Sequence, residues 1–415
     1  MSGSDKVALV GGMLIDGTGR DPVEEATLVI DGSKIVDVGQ SRVVRIPSDC
    51  RKVSVSGLTI MPGMIDCHVH LTGCRGEDEI YWNGGVEPVP LRAVRAVYDA
   101  WKVLDVGFTT VRDCGSINAV HLRKAVDEGV IAGPRVVPCA RGLSRTGGHC
   151  DLRTDIFDIS DQSRIVSLPF AELCDGVEGV RRAVRSQIRN GAEFIKFWAS
   201  GGGTWWNDRN EDQHFTREEM KTIIDEGHMC NRRVVAHCES LASAKAAVEL
   251  GIDTLEHGDV LDEAVCKEMA RKGIIFDPTV SIFSVGPWAA PTDLQQKSFN
   301  TARAAGVKMA LGSDAFVDNI TPYGRYNIGE IRKLVDWGLS AKEAIVSATL
   351  RGAEALGRQD ELGTLEKGKI ADILIVDGNP LGNIDVLLDR RRIKKIIKAG
   401  REMARVPETM PHIAS

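Results

Sequence analysis

The sequence predicts an α/β chain: a (β/α)8 TIM barrel over residues 61–360, joined to a small β-sandwich domain built from both termini, 1–60 together with 361–415. Three observations predict it. From Met61 to Gly357 one unit recurs, a helical stretch, a glycine, then a short β-branched run. The two ends instead alternate in short runs broken by turn dipeptides. Histidines, a lysine and an aspartate fall where the central β-branched runs end.

The first strand of the barrel is read from Leu58 to Val69, and the second, "FTTVRDCG", follows the helix "VYDAWKVLDVG". Arg135 to Cys139 is the third. The fourth, "AEFIKFWASGG", follows "VRRAVRSQIRNG"; Arg233 to His237 is the fifth; the sixth, "IDTLEHG", follows "ASAKAAVELG". "IIFDPTV" after "DEAVCKEMARKG" and "VKMALGSDA" after "SFNTARAAG" complete the series. Gly107, Gly191, Gly251, Gly273 and Gly306 fit the left-handed position that ends a helix. Eight such units suit a closed barrel. An open doubly wound sheet is the structural alternative, but the first strand lacks the Gly-x-Gly-x-x-Gly turn that would favour it. At the ends, "LIDGTG", "LVIDGSKIVDVG" and "RKVSVSG" precede the barrel, and "GTLEKGKIADILIVDGNP" and "IKKIIKAGREM" follow it. These read as hairpins, and 407–415 as an irregular tail.

The chain has 415 residues, 43% hydrophobic and 27% charged, enough for a large core and a second, smaller unit. Its net charge of -6 leaves no basic footprint for nucleic acid; "RRRIKK" from Arg390 is the densest run and sits between apolar segments. No leader pattern opens it and no run of about eighteen apolar residues crosses it. The expected protein is soluble and cytoplasmic, acts on a small-molecule substrate without nucleic-acid or membrane partners, and forms a homo-oligomer. Its ten cysteines lack a C-x-x-C pair and read as reduced, mostly buried thiols.

In "GMIDCHVHL" strand alternation puts His68 and His70 on one face and Cys67 and Val69 on the other, so two imidazoles converge. Alone, such a pair is more often a core histidine beside an exposed one. Lys196 in "FIKFW" puts an ammonium group among apolar neighbours, where it either snorkels out of the strand end or loses its charge. Addition of carbon dioxide would give a carbamate with two metal-binding oxygens. His237, His257 and Asp314 close further strands, and together these residues make a metal-site set.

In order and spacing, "GMIDCHVHL", "EFIKFWASGG", "VVAHCES", "TLEHG", "LGSDA" and "GKIADILIVD" resemble the amidohydrolase superfamily over essentially the whole chain. With "TTVRDCGS" and "TGGHCD" the chain is most similar to the imidazolonepropionase-related group, which holds Xaa-Pro dipeptidases and metallo-carboxypeptidases. The resemblance implies two divalent ions, zinc by ligand chemistry: His68 and His70 on the more buried, His237 and His257 on the more exposed, carboxylated Lys196 bridging both. Asp314 would ligate the buried ion and move the proton while a metal-bridging hydroxide attacks an amide or peptide C–N bond, in an Xaa-Pro-like dipeptide or an N-acyl amino acid.

For the substrate, alternation sends Trp198 and Ser200 inward with Lys196, and Glu239 inward with His237. Trp198 also reads as core, and Ser200 as a tight turn. His149 in "TGGHCD" corresponds to a histidine that relatives place near the substrate carboxylate and scissile carbonyl; an exposed loop histidine is the alternative. Tyr323 and Arg325 follow the eighth strand, where arginine clamps a carboxylate or forms a surface ion pair. His121, His214, His228 and His412 lack comparable placement. Several relatives carry tyrosine where this chain has Glu239, a carboxylate that repels a substrate carboxylate and favours an amine. Deaminase, lactonase, carbamate or organophosphate hydrolase chemistry fits the same water activation. A scaffold without enzymatic activity would lack ligands that this chain retains.

Overall fold

A computed structural model describes residues 6–76, 88–151, 170–203, 208–285 and 292–407. Along the first half run β1 (Lys6–Leu14), β2 (Val23–Asp31), β3 (Lys34–Gln40), β4 (Arg51–Ser54), β5 (Thr59–Pro62), β6 (Met64–Val69), α1 (Val89–Asp105), β7 (Phe108–Asp113), α2 (Ala119–Asp127), β8 (Arg135–Pro138), β9 (Gly142–Ser144) and β10 (Ala171–Leu173). Then come α3 (Gly176–Arg189), β11 (Phe194–Trp198), α4 (Arg217–Met229), β12 (Arg233–Cys238), α5 (Leu241–Leu250), β13 (Thr254–His257), α6 (Glu263–Lys272), β14 (Ile275–Asp277) and α7 (Asp293–Ala304). The chain closes with α8 (Arg325–Asp336), α9 (Ala341–Val346), α10 (Gly352–Ala355), β15 (Ile373–Val376), β16 (Ile393–Lys398) and β17 (Arg401–Glu402).

Local chemistry sets the alternation of strand and helix. Thr216 opens α4 with a capping box, accepting the Glu219 N–H while the Glu219 side chain receives the Thr216 N–H. Ser240 and Asp262 cap α5 and α6. Gly251 and Gly273 end those two helices at φ +90° and +71°, the left-handed turn that only glycine takes without cost. Each cap returns the chain to the start of a parallel strand.

The central strands lie parallel in two hydrogen-bonded groups, β6-β7-β8 and β10-β9-β11-β12-β13-β14. Backbone bonds join the groups at both sides. The Glu193 N–H, just ahead of β11, donates to the Pro138 carbonyl at 2.8 Å. On the other side the segment 308–315 runs between β14 and β6: Ala310 N–H donates to Phe276 at 2.9 Å, and Cys67 N–H to Leu311 at 2.8 Å. The sequence leads one to expect a regular strand here. The segment instead makes two isolated bridges, Phe276 to Met309 and Val69 to Ala315, because Asp314 turns the backbone to φ +56° and its bonds alternate between two neighbours.

The terminal strands form one eight-stranded sheet in the order β17-β16-β15-β5-β1-β2-β3, with β4 also on β1. The run Leu58 to Val69 divides at Gly63: Pro62 pairs with Ile373 of this sheet, whereas Met64 pairs with Phe108 of the central strands. A Cβ at Gly63 would lie 2.2 Å from Thr109 Oγ1, so no other residue fits this corner. The terminal sheet thus extends through Pro62, two residues past the boundary read from sequence. Leu28, Ile30 and Ile35 share one buried cluster with Ile373, Ile375 and Ile397, so strands from both chain ends enclose a common core. A larger core under the central strands includes Phe108, Phe197 and Phe276, each worth about 1.5–3 kcal/mol relative to exposure. All ten cysteines are free thiols, eight of them buried. No helix among the described residues is long and apolar enough to cross a membrane.

Candidate metal centre

The ends of β6, β11, β12 and β13 and the segment around Asp314 bring the polar residues together. The rings of His68 and His70 lie 5.2 Å apart, those of His68 and His257 5.0 Å, and those of His237 and His257 4.5 Å. Asp314 Oδ1 is 3.5 Å from His68 Nε2 and 3.4 Å from His70 Nε2. His68, His257 and Asp314 present donor atoms within one metal-sized sphere, and so do His237, Glu239 and His257. Lys196 is 1% exposed, and its Nζ has no hydrogen-bond partner. Trp198 does share the Lys196 face: the ammonium lies 5.7 Å from its ring.

Outer contacts fix which ring nitrogen remains for a ligand. His70 Nδ1 is 3.0 Å from the Gly115 carbonyl and His237 Nε2 is 3.1 Å from the Gly201 carbonyl. A carbonyl only accepts, so those nitrogens carry the protons, leaving lone pairs on His70 Nε2 and His237 Nδ1. His257 Nδ1 rests 2.7 Å from Thr279 Oγ1. Burial, with neighbouring cationic charge, pushes His68 and His237 well below the usual histidine value and His257 down to about 4, so the rings are neutral. Neutral imidazoles beside a carboxylate are the donor set a divalent cation takes. His257, Thr279 and Asp314 all hold positive φ, at +65°, +44° and +56°. Such backbone costs about 1–3 kcal/mol per residue and here collects at one place.

Beneath the histidines lies a fully buried ionic chain that the sequence did not reveal. Arg112 donates to the Cys67 carbonyl at 2.6 Å, to Thr254 Oγ1 at 3.2 Å and to Glu256 Oε1 at 2.7 Å. The other Glu256 oxygen lies 2.6 Å from His68 Nδ1 but out of line for a hydrogen bond. Arg112→Ala strands a buried carboxylate, so urea unfolding is expected to show a loss of about 3–5 kcal/mol. A loss below about 1 kcal/mol, the range of an exposed pair, would mean that Glu256 needs no partner.

The remaining residues singled out from sequence divide into two groups. His149 stacks on His237 with ring centroids 4.6 Å apart, and Glu239 Oε1 is 3.5 Å from His237 Nε2. Burial, then Asp259, Asp208 and Asp314, push the Glu239 carboxyl well above the usual range. Ser200 Oγ receives the Glu239 N–H at 2.8 Å and donates to the Gly201 carbonyl, which ties the turn together. Tyr323 is buried with its hydroxyl donating to the His70 carbonyl. Arg325 is exposed at the first turn of α8. His214, unremarkable in sequence, lies beside His149 and Asp208, its Nδ1 3.4 Å from the His149 N–H. His121 is exposed and His228 pairs with Asp253; His412 lies outside the described residues.

The chain is similar to several known proteins. An ochratoxinase of Aspergillus niger is 33% identical over 95% of this chain and 86% of its own length. A prolidase solved in complex with N-methylphosphonate-L-proline is 34% identical, covers 97% of this chain and all (100%) of its own, and superposes with a TM-score of 0.87. A Xaa-Pro dipeptidase with methionine bound in its active site is 28% identical over 96% of this chain and 99% of its own, with a TM-score of 0.83. Residues 59–403 match the Amidohydrolase family, a span that holds every histidine of the cluster together with Lys196 and Asp314, and the chain belongs to that metal-dependent hydrolase family.

Proposed function

We propose that the protein hydrolyses an amide or peptide C–N bond in a small substrate, an Xaa-Pro-like dipeptide or an N-acyl amino acid, at a site where a carbamate on Lys196 would join the histidines and Asp314 in holding two zinc ions. The observation that carries the reading is the buried Lys196 Nζ, without a hydrogen-bond partner, on the strand next to that of His237, which in turn pairs with that of His257. As an ammonium it would repel cations; as a carbamate it supplies two oxygens to them. His68 and His70 would hold one ion, His237 and His257 the other, with Asp314 on the first. We read the parallel strands as a (β/α)8 barrel over 61–360 and the terminal sheet as a sandwich domain of 1–60 and 361–415.

Two divalent ions held there would supply polarisation of a carbonyl and acidification of a water. The chain supplies the rest. Asp314, beside both His68 and His70, accepts the water proton and returns it to the leaving nitrogen. His149, stacked over His237, contacts a polar group of the substrate. Glu239 sets the charge of the substrate end that rests against it and, among so many carboxylates, favours an amine over an acid. The prolidase and ochratoxinase likenesses support amide substrates, and Glu239 argues against copying the Xaa-Pro preference unchanged.

The deciding experiment is a metal-reconstituted screen of Xaa-Xaa dipeptides and N-acyl amino acids, with deaminase and lactonase substrates as controls. Cleavage of the amides is the expected result; ammonia release without amide cleavage would establish a deaminase instead. Metal analysis of protein purified without chelator is expected to give two divalent ions per chain, since six proposed ligands exceed the needs of one four-coordinate zinc. Saturation at one ion with full activity would overturn the two-ion centre.

A further inference from the structure

The loop after β11 carries a carboxylate that no motif marked. Asp208 is 3% exposed, and its Oδ2 lies 2.7 Å from His149 Nδ1 and receives the Gly202 N–H at 3.2 Å. A backbone N–H only donates, so this oxygen is an acceptor, and an ionised Asp208 obliges His149 to keep its proton on Nδ1. The neighbouring ring makes the same demand. His214 Nδ1 receives the His149 N–H, so its Nε2 carries the proton and faces Asp208 Oδ1 at 3.8 Å. The opposite wall is equally close: a Cβ at Gly202 would stand 2.4 Å from His149 Cε1 and 2.7 Å from Nδ1. The ring is therefore held by a carboxylate at one nitrogen, by glycine backbone along its edge and by the His237 ring on its face.

We infer that Asp208 is the positioning residue for His149: it fixes the tautomer and rotation of the ring so that Nε2, across the ring from the carboxylate, presents its lone pair to a proton donor of the substrate, an amide N–H or an ammonium. Asp208 itself touches neither substrate nor metal ligand; it acts through His149. The inference rests on the proposed contact between His149 and substrate. Its physical basis is the same as for outer partners that orient metal-bound histidines, whose removal costs about 10–100-fold in activity.

The test uses the full-length, metal-reconstituted protein with ¹⁵N-labelled histidine, in the wild type, Asp208→Asn, His149→Gln, the double variant and Gly202→Ala. The His149 signal is assigned by its loss in His149→Gln. In the wild type its ¹⁵N shifts should report an Nδ1–H ring; in Asp208→Asn, where an amide N–H can turn towards Nδ1, the Nε2–H form should appear. With the dipeptide or N-acyl amino acid that the screen turns over fastest, Asp208→Asn should lower kcat about 10–100-fold with metal content unchanged. The double variant should be no worse than His149→Gln, because residues acting as one unit are not additive. Gly202→Ala, which displaces the ring with Asp208 intact, should reproduce the loss, and it serves if Asp208→Asn fails to fold. An unchanged His149 tautomer in Asp208→Asn, or equal losses from Asp208→Asn with and without His149, would overturn the inference while leaving the His149 contact standing. If His149→Gln keeps full turnover yet the tautomer switches, the substrate contact falls and the hold of Asp208 on the ring remains.

Discussion

Lys196→Ala is expected to lose both turnover and bound metal while the protein stays folded. Lys196 is 1% exposed and its Nζ meets no hydrogen-bonding atom. Burying an ammonium without a partner costs several kcal/mol. Truncation removes that liability from the apoprotein, and the strand remains paired with β12 from Phe194 to Trp198. The metal-free variant should therefore unfold at or above the wild-type denaturant midpoint. The metal-loaded variant should bind fewer ions and turn over at background. Acetate or propionate, small enough for the vacated space and carrying two oxygens, should restore part of the metal content and activity; amines of similar size should not. Near-normal metal content and turnover without any added acid would return Lys196 to a structural role.

The residues legible in sequence were those whose placement depends on local pattern. A strand end and a period of two were enough to put His68 beside His70 and Lys196 beside Trp198. The glycine stops were similarly local, since Gly251 and Gly273 need only the helix before them. What stayed hidden depends on pairs far apart in the chain. Asp208 is 59 residues from His149 and Glu256 is 144 from Arg112, and either acid alone reads as an ordinary polar residue. Tyr323 shows the opposite failure: its position after the eighth run pointed to substrate, but burial turned its hydroxyl onto the His70 carbonyl, 253 residues away. The eighth run itself has a strand's composition. Its departure from a ladder follows from the left-handed turn at Asp314, which hydrophobic pattern does not encode.

That turn also makes Asp314→Asn the cleanest test of the proposed proton carrier. Asp314 sits at φ +56°, with its N–H donating to the His68 carbonyl at 2.8 Å. Asparagine is among the few residues that accept this backbone readily, so the substitution keeps the turn, the side-chain shape and one carbonyl oxygen facing His68 and His70. What it removes is charge and the ability to take a proton. Burial opposes ionisation at this position, and a divalent cation held by Asp314 with His68 and His70 would favour the carboxylate. The wild-type group is thus the anion that a general base must be. Turnover in metal-loaded Asp314→Asn should fall by at least roughly 10²-fold, the contribution of a positioned acid–base group. Metal-free stability should shift by no more than about 1 kcal/mol, because backbone and packing are retained. Asp314→Ala, which lacks the amide that eases a left-handed turn, should lose turnover and also about 1 kcal/mol or more of stability. Near-normal turnover of Asp314→Asn at full metal occupancy would remove Asp314 from the proton path and leave it as a ligand alone.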